Sequence, residues 1–251
     1  LVDRLLALPR PLLLALDVDG TLAPIAKKPD EATIPKDTLE LLQELARLAE
    51  LQVALITGRD LSSLRQMESL QGIWRGLEHG GLVLAPGEKP QKRALPEDKV
   101  RALEALGAWV RKEAPEAFLE FKPQAVAVHV RPLLATDPQR AEAILREVDA
   151  LGERLGLHMR RGRALREAEV FEHDKGSALR EIFERARAQS VFFAGDDITD
   201  MPAIEFASLH GIGAFVRSEE RPSSPLDSAV VLDGTDAVRL ALSGLLERYG
   251  T

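Results

Sequence analysis

Two aspartates stand two residues apart in the run Asp17-Val18-Asp19-Gly20-Thr21, directly after the apolar stretch 11–16. In extended backbone they share one face, and Gly20 lets the chain turn sharply just beyond them. Far downstream come Lys175-Gly176 and then Gly195-Asp196-Asp197-Ile198-Thr199-Asp200. If these segments meet, up to five carboxylates (Asp17, Asp19, Asp196, Asp197 and Asp200) crowd one pocket. Each like-charge pair at about 4 Å costs on the order of 4 kcal/mol at an effective dielectric of about 20. Such a cluster implies protonation, a bound cation, or both, and an all-oxygen donor set favours Mg²⁺ over zinc. An EF-hand does not fit, because the glycine falls too early in the loop and Lys28 stands where the closing glutamate belongs. By itself Asp-x-Asp-Gly reads as a solvated turn. The partner segments, in order along the chain, give it chemical meaning.

Those segments need elements to hold them. The apolar runs 11–16, 51–56 and 190–194 lead respectively into Asp17, into Thr57-Gly58-Arg59 and into Gly195-Asp196-Asp197. Continuous apolar runs of this length read as strands buried on both faces of a parallel sheet. Leu/Ala/Glu periodicity predicts helices over about 36–50, 62–70, 175–188, 200–207 and 236–248. Each polar cluster then lies at the carboxyl end of a strand, where open α/β sheets bind ligands.

From about 86 to 169 the pattern changes to helix (97–112), two alternating strands, helix (139–155) and a second strand pair. The fold class expected is α/β: a Rossmann-like parallel-sheet core from 1–85 and 170–251, carrying an inserted smaller α/β domain at 86–169. Strands 118–122 and 125–131 pair as a hairpin whose partner numbers sum to 247. Glu120, Lys122, Ala125, Ala127, His129 and Arg131 then share one face, opposite Leu119, Phe121, Val126, Val128 and Val130. The first face suits a polar ligand or plain solvent; the second suits packing.

The segments at Asp17, Thr57, Lys175 and Gly195–Asp200 resemble, in order, the four motifs of the haloacid dehalogenase superfamily of phosphohydrolases. The resemblance implies Asp17 as nucleophile, forming an aspartyl-phosphate, and Asp19 as general acid/base with a carbonyl on the metal. It also implies Thr57 and Lys175 on the phosphate oxygens, with Gly58 and Arg59 beside Thr57 as substrate contacts. Asp196 would ligate Mg²⁺, with Asp197 and Asp200 at or behind the metal. Dehalogenases of the superfamily lack the second aspartate, so Asp19 favours a phosphatase.

The insert resembles the α/β cap of the superfamily members that include sugar phosphatases. Leu22-Ala23-Pro24-Ile25, Glu120-x-Lys122 and His129-x-Arg131 are similar to the trehalose-6-phosphate phosphatases in particular. That likeness implies sugar or phosphate contacts at Glu120, Lys122, His129, Arg131 and Glu167. The chain departs from the family at Glu169-Val170, Gly81-Leu82 and Met201, positions near the sugar or the hinge. His79, before Gly80-Gly81, is a candidate for either a ligand contact or a turn. The implied reaction is hydrolysis of trehalose 6-phosphate; sucrose phosphate, a glycosyl-3-phosphoglycerate and a non-catalytic sugar-phosphate-binding regulator are the alternatives.

Composition excludes other classes. Lys and Arg number 33 against 40 Asp and Glu, a net charge of −7, which disfavours a general nucleic-acid or anionic-membrane binder. With no cysteine, thiol catalysis and disulfides are ruled out, in keeping with a reducing, cytoplasmic setting. No secretory leader and no membrane span are expected, and the protein reads as a monomer acting on a small sugar phosphate. His158, His173 and His210 lack metal-ligand spacing. Gly211-x-Gly213 continues to Val216, so a dinucleotide fingerprint is not supported.

Overall fold

The computed structural model describes residues 1–26, 31–90, 95–122, 124–162, 164–218 and 221–249; Lys28 lies outside them. The chain divides into two compact units, one of Leu1–Pro90 with His173–Thr251 and one of Gln91–Glu172. The second unit starts and ends a few residues later than the expected 86–169. At its start, Glu88 accepts from the Ala85 amide and pairs with Arg185, which keeps this segment with the first unit. At its end, Val170 is buried in the second unit's own apolar core.

Among the described residues, the first unit holds a seven-stranded sheet of order β11-β10-β9-β1-β2-β3-β4. These strands are β1 Leu12–Leu16, β2 Leu51–Ile56, β3 Trp74–Leu77, β4 Leu82–Leu84, β9 Ser190–Gly195, β10 Gly211–Arg217 and β11 Val230–Asp233. All neighbours pair in parallel except β3 and β4. Every residue of central β1 is fully buried, as its unbroken Leu-Leu-Leu-Ala-Leu composition requires. Alternate residues serve opposite faces. Leu12, Leu14 and Leu16 pack toward helices α2 (Lys36–Leu45) and α9 (Gly234–Tyr249). Leu13 and Ala15 pack toward α7 (Lys175–Arg185) and α8 (Met201–His210). At roughly 1.5–3 kcal/mol per buried leucine, this strand is a rigid mount.

Register decides what sits at its end. Leu16 stands level with Leu55 on one side and Ala194 on the other. The next residues on three adjacent strands are therefore Asp17, Ile56-Thr57 and Gly195-Asp196. Segments far apart in sequence emerge at one level.

The second unit is a four-stranded antiparallel sheet of order β5-β6-β8-β7, from β5 Phe118–Lys122, β6 Ala125–His129, β7 His158–Gly162 and β8 Leu165–Glu169. Helices α4 (Glu97–Glu113) and α6 (Pro138–Arg154) cover one face through Leu106, Val110, Ile144 and Val148. Phe118 pairs with His129 and Lys122 with Ala125, the expected register. The strand stops at His129, however. Arg131 is the first residue of the short helix α5 (Arg131–Thr136) and is exposed, not part of the sheet face. Pro132 explains this, since proline cannot donate to a ladder but suits a first helical turn. No helix among the described residues is long and apolar enough to cross a membrane.

Candidate active site

Asp17 follows β1 directly, with its amide bonded to the Ala194 carbonyl at 2.9 Å. Lys175 opens α7, which Asp174 caps by accepting the Ser177 amide at 2.6 Å. The Lys175 ammonium donates to Asp17 Oδ1 at 2.7 Å and to Asp200 Oδ1 at 2.6 Å. Asp200 Oδ2 in turn accepts the amides of Asp196 and Asp197, at 3.1 and 2.9 Å. Asp17, Asp196 and Asp200 are all buried, with one oxygen of each within 4.8 Å of the others.

Burial, then the nearby Asp200 charge, pushes the Asp17 carboxyl well above the usual carboxylate range, against the pull of Lys175. Burial and then Asp200 also push Asp196 up, to about 7. Burial works to lower the Lys175 pKa, but Asp17 and Asp200 overcome it and hold the ammonium above its ordinary value. Lys175 therefore stays charged, and without a second cation it is the carboxylates that take up protons.

A divalent cation fits this set. Three carboxylates face one ammonium, which leaves two negative charges to neutralise, and every donor is oxygen. Asp200 spends both oxygens on Lys175 and on backbone amides, so it supports the cluster. Asp17 Oδ2 and the Asp196 carboxylate accept no hydrogen bond among the described residues and remain for a metal. Gly20, at φ +80°, makes room for them, because a Cβ there would lie 2.1 Å from Asp196 Oδ2. The raised folded-state pKa of Asp196 sets a sign. Between the unfolded value near 3.8 and about 7 the folded state binds the extra proton, so metal-free stability falls as pH rises across that window. Mg²⁺ should therefore raise the thermal midpoint more at pH 8 than at pH 5.5, and its uptake near pH 6.5 should release protons. Equal midpoint shifts at the two pH values would contradict this account.

Not all five aspartates gather. The Asp19 carboxylate turns to Arg59, which meets it with Nε and Nη2, both at 2.7 Å. Asp197 caps the turn at Ile198 and pairs with Arg221. The reason lies beyond β1 and β9, where the chain leaves extended geometry and successive aspartates no longer share a face. Arg221, in the serine- and proline-rich segment after β10, also donates to the Asp196 carbonyl at 3.3 Å. Sequence reading did not single it out, since an arginine that follows two glutamates carries no site signal of its own.

Thr57 is buried, and its Oγ1 accepts the Arg59 amide at 3.2 Å. That leaves the hydroxyl proton free for another acceptor. The His79 ring packs over Gly58, and its amide donates to the Thr57 carbonyl at 3.0 Å. Glu78 and His79 both adopt left-handed backbone, at φ 53° and 56°, in the turn between β3 and β4. His79 is thus both a turn residue and a neighbour of the Thr57-Gly58-Arg59 segment.

In the second unit, Glu120 and His129 are 2.9 Å apart and Lys122 donates to Glu167 at 2.6 Å, all on the sheet face away from the helices. Arg160 and Glu169, the latter noted in the sequence only as a departure from the family, add a third pair on that face, at 2.9 and 3.2 Å.

The fold is similar to that of a phosphatase of the haloalkanoate (HAD) enzyme superfamily from Bacteroides thetaiotaomicron, with a TM-score of 0.61 at 17% identity, covering 95% of this chain and 94% of that one. More narrowly, the chain belongs to the trehalose-phosphatase family, whose sequence model matches residues 15–236. A trehalose-phosphate phosphatase of Mycobacterium ulcerans is 33% identical over 224 residues, covering 86% of this chain and 56% of that protein. An uncharacterized glycosyl hydrolase of Mycobacterium tuberculosis is 34% identical over 230 residues, 87% of this chain but 17% of that protein. The chain thus spans about half the first relative and under a fifth of the second. Among solved structures, the trehalose-6-phosphate phosphatase of Aspergillus fumigatus superposes with a TM-score of 0.72 at 23% identity, covering 99% of this chain and 96% of that one. At that identity the likeness speaks for the fold.

Proposed function

We propose that this chain is a Mg²⁺-dependent phosphatase that hydrolyses a sugar phosphate, trehalose 6-phosphate first among them, through an aspartyl-phosphate on Asp17. The observation that carries the reading is the buried Lys175 bridging Asp17 and Asp200 beside the Asp196 carboxylate, which accepts no hydrogen bond among the described residues. Family membership and the mycobacterial relative support the substrate.

When bound, held by Asp17 and Asp196, Mg²⁺ supplies charge neutralisation for an incoming phosphate dianion. Asp17 would form the bond to phosphorus through the carboxylate oxygen that does not hold the metal, as the bond from phosphorus to the sugar oxygen breaks. Asp19 would give its proton to that oxygen, then take one from the water that cleaves the aspartyl-phosphate. Lys175 and the Thr57 hydroxyl would hold phosphate oxygens in line. In the second unit, Glu120, Lys122, His129 and Glu167 offer the acceptors and donors that sugar hydroxyls need. Asp17, Asp19, Lys175 and Asp196 are all present, which favours an enzyme over a silent regulator.

The test is phosphate release from a panel of sugar phosphates, with Mg²⁺ and with chelator. Release from trehalose 6-phosphate that chelator abolishes is the expected result. Activity on sucrose phosphate with none on trehalose 6-phosphate would overturn the substrate alone. Activity that survives chelation, or none on any substrate, would overturn the reaction.

A further inference from the structure

We infer that Ser63 and Arg59 form a positioning relay that aims the Asp19 carboxylate, so that Arg59 serves the reaction through Asp19 rather than by gripping substrate. The inference rests on the reading of Asp19 as the proton carrier. It concerns where that carboxylate points.

Each nitrogen of the Arg59 guanidinium is engaged. Nε and Nη2 form a fork on the two oxygens of Asp19, both at 2.7 Å, and Nη1 donates to Ser63 Oγ at 2.9 Å. The Arg59 side chain is 10% exposed, whereas Asp19 is 44% exposed. The guanidinium is thus sunk behind a carboxylate whose outer edge is open. Two coplanar bonds fix the plane of the carboxylate as well as its position, which a single-point cation such as lysine cannot do. A carboxylate oxygen has two lone pairs, and the fork needs one on each, leaving one on each for a leaving oxygen or water.

The relay is anchored at both ends. Helix α3 (Leu61–Met67) begins at Asp60, whose Oδ1 accepts the Ser63 amide at 2.7 Å and so places the hydroxyl. The Arg59 backbone is pinned on either side, its amide on Thr57 Oγ1 and its carbonyl on the Glu78 amide at 3.0 Å. To contact a phosphate as a motif neighbour of Thr57 would, Arg59 would have to abandon both bonds to Asp19.

The experiment compares wild type, Arg59→Met, Arg59→Lys, Ser63→Ala, Asp19→Asn and the Arg59→Met/Asp19→Asn double variant with Mg²⁺ present. Trehalose 6-phosphate has a poor alkoxide leaving group that needs a proton; p-nitrophenyl phosphate does not. The relay predicts that Arg59→Met lowers kcat on trehalose 6-phosphate by about 100-fold, as for loss of a general acid, with little change in KM. Ser63→Ala should lose about fivefold, because the hydrogen bond it removes orients Arg59 and leaves the fork on Asp19 in place. Arg59→Lys should stay close to Arg59→Met, because charge without the fork does not orient. The double variant should be no slower than Asp19→Asn alone. On p-nitrophenyl phosphate, Arg59→Met and Asp19→Asn should both keep the first-turnover burst of nitrophenolate and slow only the steady phase, which also shows that the variants fold.

A rise in KM with kcat kept, or losses that multiply in the double variant, would overturn the relay and make Arg59 a substrate contact. If wild type releases no phosphate from trehalose 6-phosphate, the substrate reading falls. The burst and steady phases on p-nitrophenyl phosphate still decide the relay.

Discussion

Asp17→Asn is expected to abolish phosphate release while leaving the fold intact, and at pH 8 without metal to melt no lower than wild type. The first half follows from chemistry, because the amide cannot form the phosphoryl ester. The second follows from the cluster's electrostatics. Burial and Asp200 raise the folded-state pKa of Asp17, so its ionised form destabilises the fold above the unfolded value and asparagine removes that cost. Any gain should therefore grow from pH 4 to pH 8. Lys175 keeps Asp200 at 2.6 Å as a partner, so the variant does not strand a buried cation. Phosphate release and thermal melts across pH check both halves. Near-normal turnover would remove Asp17 from its role.

Lys175→Met should have the opposite effect on stability and an equally severe effect on activity. It leaves Asp17, Asp196 and Asp200 buried together with no internal cation. Removing one member of a buried ionic set costs about 3–5 kcal/mol, which in a chain of this size is on the order of 10 °C in melting midpoint. Because the cost arises in part from ionised Asp17 and Asp196, whose folded-state pKa values are raised, the deficit should be largest at pH 8 and shrink toward pH 5, where these two take up protons. Mg²⁺ should return part of it. Turnover should fall by at least about 100-fold, the usual loss when a charged donor to a transferring group is removed. A deficit independent of pH and of Mg²⁺ would show that Lys175 packs rather than neutralises.

These two variants bear on positions that could be read from sequence, whereas others could not. The strands at β1, β2 and β9 were legible because a strand buried on both faces must be apolar throughout, and few other structures ask for that. β10 was not. Its Gly211-Ile-Gly-Ala start lacks strand propensity and looks like part of a dinucleotide loop. In the fold, Gly213 lies where a Cβ would come within 2.3 Å of the Ile204 carbonyl, so the glycine is there for helix-to-strand packing. The hairpin of β5 and β6 was legible through its alternation, but its end was misplaced by two residues because the first turn of α5 carries on from the strand without a break in composition.

The order Asp17, Thr57, Lys175, Asp196 was enough by itself to raise the expectation of a phosphoryl-transfer site, since residue type and strand-end placement are local properties of the chain. Which carboxylates share the cluster was decided only in three dimensions. Parallel register brings Asp17, Asp196 and Asp200 together around Lys175, while Arg59 draws Asp19 aside and Arg221 draws Asp197. Spacing along a strand predicts a shared face only while the backbone stays extended. Past the ends of β1 and β9 it does not, and the direction of each aspartate is set by whichever cation the fold places beside it.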